Sequence, residues 1–285
     1  NTNIVLYFAD DGAVNSRLLN VLKNRGINNV VVAGSADNIV LTSDRDFYIP
    51  EAFTAANVSF TMPAGTAGTD GAQWTTLALP FEPQTVTVDG QAADWFHSDA
   101  DAGKQFVVKE FVAAEGTTLY FDHADAIVAN RPYLVSFAGN VGDNHYDVTG
   151  KDVVFAATDA VFEPVDLIST YSTDYKFVGT TASASLADAY ALASDGSAFV
   201  KADGNLALSP FAACMVANNE PASAATKLVI AGVTPTSITA VEAEALDGQP
   251  VYNLSGMKVG TYDAASGLGT LPSGVYIVGG KKIVK

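Results

Sequence analysis

The sequence predicts an all-β fold: a β-sandwich main body, a small C-terminal β-sandwich-like domain and one short N-terminal helix. Three observations carry this. Short alternating or apolar runs recur along the whole chain, separated by Gly, Asp, Asn and Pro, the pattern of strands joined by turns. Helical periodicity occurs once. Hydrophobic residues make up 48% and charged ones only 16%, which a packed core explains and a disordered chain does not.

Strands are expected at Ile4–Phe8, Asn29–Ala33, Ile39–Leu41, Val58–Thr61, Trp74–Ala78 and Thr85–Val88. They continue at Gln105–Val112, Thr118–Asp122, Tyr133–Phe137, Val153–Phe155, Tyr175–Val178, Tyr190–Leu192, Ala198–Val200, Ala213–Val216 and Lys227–Ala231. The helix is expected over Ala13–Asn24, with Val14, Leu18, Val21 and Leu22 on one face. Asp10 and Asp11 favour its positive N-terminal end, and Gly26 stops it. Without helices alternating with strands, parallel crossovers are not expected.

Pro-, Ser-, Thr- and Ala-rich stretches at 221–225 and 234–239 place a boundary near Pro235. Three regions follow: 1–45, a β/helix segment resembling the end of an upstream repeat; 46–235, the sandwich body; and 236–285, the C-terminal β domain. Within that last region Val251–Val259, Leu271–Val278 and Gly279–Lys285 read as three β-type runs. Gly256 and Gly274 fall where tight turns need positive φ.

The formal net charge of −16 repels phosphate backbones and anionic lipid, so no nucleic-acid partner is expected. No apolar run reaches the ~20 residues of a membrane span. The sequence opens at Asn1 with no leader-like stretch; export would mean that a signal peptide, and domains upstream of Asn1, have been removed. The single cysteine, Cys214, lies in the apolar run Phe211–Val216 and is expected as a buried thiol, because a reactive one needs a base and an electropositive pocket.

Chemistry-bearing constellations are few. His97, His123 and His145 have no ligand spacing; only folding that brings His97 and His123 to Asp99 and Asp122 would make a metal site. Asp99 and Asp101 before Gly103 resemble part of a calcium loop, but the downstream Glu is out of register. A solvated acidic turn with adventitious calcium follows, and no cofactor is expected. Glu110 and Glu115 are among many acids that a glycosidase would pair across a cleft. Trp95 and Phe96, in an expected loop with Tyr171 and Tyr175 as neighbours, form a candidate platform for stacking on a sugar ring; the alternative is that they plug the core.

Three blocks carry a family resemblance: Asp46–Ala55 with Val58–Thr61; Trp74–Phe81 with Ile127–Val135; and Tyr175–Thr180 through Ala189–Leu192, Gly196–Phe199 and Ser209–Phe211. Together they resemble a β-rich module of surface and secreted proteins of Bacteroidetes, where it follows leucine-rich or immunoglobulin-like repeats. The tail resembles the C-terminal sorting domain of the Bacteroidetes secretion pathway. The resemblance implies an extracellular or outer-membrane location and recognition of the tail by export machinery through Gly256, Gly274, Lys281 and Lys282. The expected function is a non-catalytic, adhesin-like structural or interaction module meeting host or dietary glycan or protein. The alternative is a carbohydrate-binding module using Trp95 and Phe96, and after it a glycan-active hydrolase.

Overall fold

The computed structural model describes residues 3–9, 12, 14–64, 74–93, 95–96, 106–137, 150–165, 168–194, 196–231, 248–253, 257–263, 268–269, 271, 275–278 and 281–284. The fold is all-β with one short helix. Two compact units divide the chain, Asn1–Val233 and Thr234–Lys285.

The first unit opens with β1 (Val5–Phe8), α1 (Ser16–Asn24), β2 (Asn29–Val32), β3 (Ser35–Thr42) and β4 (Phe53–Pro63). Next come β5 (Thr75–Leu79), β6 (Thr85–Val88), β7 (Gln91–Ala92), β8 (Trp95–Phe96), β9 (Phe106–Glu115), β10 (Thr118–His123), β11 (Arg131–Phe137) and β12 (Asp152–Phe162). The rest is β13 (Ile168–Tyr171), β14 (Tyr175–Gly179), β15 (Ala184–Leu186), β16 (Ala189–Leu192), β17 (Ala198–Lys201), β18 (Leu206–Leu208), β19 (Ala213–Ala217), the single turn α2 (Glu220–Ser223) and β20 (Lys227–Ala231).

One sheet runs β1-β2-β3-β4-β12-β6-β7; a wider one runs β13-β14-β19-β16-β17-β20-β10-β9-β11-β5, with β8 beside β9. The wide sheet curls until β5, at one end, reaches β19, two strands in from the other. At the seam the Ala213 N–H donates to Thr76 Oγ1 at 2.9 Å and the Ala78 N–H to the Phe211 carbonyl at 2.9 Å. Gly179 closes that seam, because a Cβ there would stand 2.6 Å from Ala78 Cβ and 3.2 Å from Pro132 Cβ.

Two main cores result. The first lies between the seven-stranded sheet and β5, β9 and β11, where Phe60, Phe155, Phe106 and Tyr133 are fully buried. Phe155 meets Phe106 edge-on at 5.7 Å, a favoured ring geometry. The second fills the curl with Phe111, Phe121, Phe177, Phe199 and Leu134; Phe121 and Phe177 meet at 5.5 Å and 88°. Strands β9 and β11 separate the cores and serve both. Val108 and Val135 face the first, Val107 and Leu134 the second, so residues 106–109 and 133–136 are buried without a break.

Buried asparagines substitute for ladder bonds at the start of the chain. Asn29 accepts from the Val40 N–H at 2.6 Å and donates to the Val40 carbonyl at 2.9 Å, in a stretch where β2 and β3 pair directly only at Val32 and Ser35. Asn3 treats Thr42 in the same way. Each keeps a buried backbone group satisfied.

Several sequence expectations are corrected. The helix starts at Ser16, not Ala13: Asn15 is its cap, accepting from the Leu18 N–H at 3.0 Å, the reach that a short amide side chain provides. Asp10 and Asp11 lie outside the described residues. The expected stop holds, with Gly26 at φ +76° and its N–H on the Lys23 carbonyl. Val21, expected on the apolar face, is exposed, and no residue of α1 is buried. Parallel pairing, which was not expected, joins β1 to β2 across α1, a single βαβ unit. It also joins β3 to β4 and β10 to β20.

The segment 1–45 holds β1, β2 and β3, which continue the same sheet as β4. In the second unit, β21 (Pro250–Asn253), β22 (Lys258–Thr261), β23 (Val275–Val278) and β24 (Lys281–Val284) form an antiparallel sheet ordered β22-β21-β23-β24. Val251, Tyr262, Leu268, Tyr276 and Val278 are its own core.

Candidate functional site

Trp95 and Phe96 are not in a loop. They form the two-residue strand β8, whose backbone pairs in parallel with Phe106 and Val107; their side chains lie outside the described residues. Tyr175, the suggested aromatic neighbour, is buried and its hydroxyl donates to the Ala222 carbonyl at 3.1 Å, so it presents no face to a ligand. The side chain of Tyr171 lies outside the described residues, as do Gly256 and Gly274 entirely. Lys281 and Lys282 sit on β24, opposite Val278 and Ile277; their side chains are likewise outside.

His97, His145 and the acidic loop 98–103 also fall outside the described residues. His123 ends β10, in register with Lys109 of β9. Among the described residues no cluster of three or more His, Cys, Asp and Glu could hold a metal ion. Glu110 forms an ion pair with Arg131 at 2.7 Å, and Glu115 accepts from the Tyr120 hydroxyl at 3.4 Å. Each of these acids thus has a structural partner. Cys214 is fully buried, and burial pushes its thiol up to about 12; a thiol held protonated is no nucleophile. It borders a cavity of about 390 Å³ whose other walls include Trp74, Thr75, Leu192 and Leu208.

The outer face of the seven-stranded sheet carries two of the cavities among the described residues. Residues on β3, β4, β12 and β6 alternate between core and outside, the two-residue period of a strand. Their outward members form rows across four strands. One row is Val40, Ser59, Ala156 and Thr85, in direct register. Beside it runs Asn38, Asn57 and Thr158, which Gln84 completes: its amide donates to the Thr158 carbonyl at 3.2 Å, and its carbonyl oxygen accepts from the Thr158 N–H at 3.2 Å. On the other side lie Thr42, Thr61, Val154 and Thr87. None of these twelve is charged.

Two cavities open on this face. One, of about 340 Å³, lies over the rows through Ser59 and Asn57. The other, of about 750 Å³, lies between the sheet and α1, with Leu19, Val30 and Val32 in its walls. Both are lined by Asn38 and Val40, so they form one trough. The α1 end carries the charged residues of the lining, Lys23 and Asp37. The larger cavity lies between α1, none of whose side chains is buried, and the outward residues of β2 and β3. Sequence motifs do not announce it, since each row draws on segments tens of residues apart. The one local sign is the alternation of Asn57, Ser59 and Thr61 with apolar neighbours.

No protein-family model, curated protein or solved structure matches this chain. No helix of the described residues is long and apolar enough to cross a membrane.

Proposed function

We propose that this chain is a non-catalytic structural or interaction module, adhesin-like, secreted by a bacterium or displayed on its surface, with the C-terminal region addressing it to export machinery. The observation that supports this most directly is the independence of the tail. Thr234–Lys285 is a compact unit with a core of its own, the property needed by a signal that must be read apart from its cargo. The body supports the reading too, because among the described residues many large side chains are consumed in packing: Phe47, Phe60, Phe106, Phe155, Phe177 and Phe199 are all fully buried. A rigid body of this kind holds a surface in place and spaces it from an attachment point.

The test is deletion of Val251–Lys285 followed by cell fractionation and surface labelling. Loss of surface display, with the remaining body still folded by circular dichroism, is the expected result. Unchanged surface display overturns the proposal.

A further inference from the structure

We infer that two copies of this chain pair through the open edge of β1, antiparallel about a two-fold axis at Leu6. β1 ends its sheet, with β2 on one side and no strand on the other among the described residues. One bond shows which of its backbone groups are left over. The Ala33 N–H donates to the Phe8 carbonyl at 2.9 Å, so Phe8, and with it Leu6, turns its N–H and C=O towards β2. Successive residues of a strand send these groups to opposite sides. Val5 and Tyr7 therefore direct theirs outward, where no group of the described residues receives them.

Edge strands are usually guarded by charge, proline, a bulge or brevity. β7, at the other end of the same sheet, has two residues, both exposed. β24, at the edge of the tail sheet, contains Lys281 and Lys282. β1 has no such guard: it reads Val-Leu-Tyr-Phe, in regular register with β2, and each residue is half-buried. Val5 and Tyr7 pack against the first core, and Leu6 and Phe8 lie on the opposite face. An occupant must supply a backbone ladder and apolar side chains on both of its faces at once. A strand with one polar face meets half of that demand.

A second β1 meets all of it, and in one register. Val5 and Tyr7 stand symmetrically about Leu6, so an antiparallel copy sets each Val5 opposite the partner's Tyr7. Each such pair exchanges both of its hydrogen bonds, and the outward groups of both copies are satisfied. The two Leu6 side chains meet at the axis, in the closer spacing of a non-hydrogen-bonded pair. A two-fold contact sets like against like, which a charged strand does not tolerate; Ile4–Ala9 has no charged residue, in a chain of net charge −16. The two seven-stranded sheets then run on as one. Self-pairing goes beyond the module reading, and since β1 lies in the first unit, it stands or falls without the tail that the export test removes.

The experiment is sedimentation velocity of the full chain over a concentration series. A concentration-dependent rise to twice the mass of one chain is expected. Val5→Pro removes an outward N–H and spares the bonds to β2, a position where an edge strand accepts proline. It is expected to weaken the dimer by at least about tenfold, through hydrogen bonds lost from both copies, with an unchanged circular dichroism spectrum. Leu6→Asp and Leu6→Lys are each expected to be monomeric, because like charges then meet at the axis. Their equimolar mixture is expected to form a one-to-one dimer, because opposite charges meet there instead. A single-chain mass at every concentration overturns the inference. So does a dimer that Val5→Pro and both Leu6 variants leave intact, which places the contact elsewhere, or a mixture of the Leu6 variants that stays monomeric.

Discussion

Two pairs of strands in the same unit use the same backbone pairing to opposite ends. In β4 and β12 one face is core and the other is solvent, and their sequences alternate. Phe60 and Phe155 point inward where Ser59 and Ala156 point out. In β9 and β11 both faces are core, and Phe106-Val107-Val108 and Tyr133-Leu134-Val135 are apolar without interruption. Alternation thus marks a strand with a free face, and its loss marks a partition between two interiors. The distinction separates residues on which stability depends from residues left over for recognition.

The largest effect expected from breaking this contrast is in the partition and its neighbours. Phe155→Ala removes a fully buried ring that touches both Phe60 and Phe106, and is expected to cost about 3–5 kcal/mol in urea denaturation. If the shared wall couples the cores, Asn1–Val233 unfolds in one transition in this variant as in the parent. Two resolved transitions would mean that the cores are independent.

Next comes the seam. Gly179→Ala places a methyl group against Ala78 and Pro132, neither of which has a flexible end to move aside. A loss of about 1–3 kcal/mol is expected from this overpacking; a neutral result would show that the curled sheet opens there at little cost.

A smaller effect is expected at the clamp between the loop before β4 and the loop after β14. Asp46 accepts from the Ser183 N–H and hydroxyl at 2.8 and 2.7 Å, while Thr181 donates to the Phe47 carbonyl at 2.9 Å. The Ser183 hydrogen bonds hold the Asp46 carboxyl below its usual range. A lowered folded pKa means that the stabilisation is complete above the unfolded value, near pH 4, and is lost as pH falls through the folded one. Asp46→Ala is therefore expected to lower stability by roughly 1 kcal/mol at pH 7, with the gap to the parent closing towards pH 2 in thermal melts. A gap that stays constant over that range would rule out the carboxylate as the source.

The smallest effect belongs to the free face. Ser59→Ala is expected to change stability by no more than about 0.5 kcal/mol in the same urea titration. A larger loss would mean that this row holds the sheet together and is not surplus to folding.

Much of the strand pattern was legible from local signals. Thr85–Val88 and Lys227–Ala231 match their expected bounds, because each is a short run rich in β-branched or aliphatic residues. The strand expected at Val153–Phe155 runs on to Phe162; Ala156, Ala157 and Ala160 give no strand signal, and pairing with β4, joined at Ala156 by β6, keeps them extended. The β13 strand and the short β15 and β18 were not anticipated, since their order comes from neighbours rather than from their own residues. The curl of the wide sheet was not legible at all: it depends on Gly179 meeting Ala78, about a hundred positions away in the chain. The buried state of Cys214 was readable from its apolar neighbours. The trough was not, because Asn38, Ser59, Ala156 and Gln84 have meaning only once four strands are laid side by side.

The double-sided use of β9 and β11 limits how this protein can be shortened. Cutting between β12 and β13 would strip the covering from Leu134 and Val107 on the first fragment and bare Phe177 and Phe199 on the second. Either fragment would carry a greasy plank that other fragments can stack against. Expression of half the body should therefore yield aggregates, and the first 233 residues behave as one indivisible piece for cloning, for crystallisation and for descent with modification.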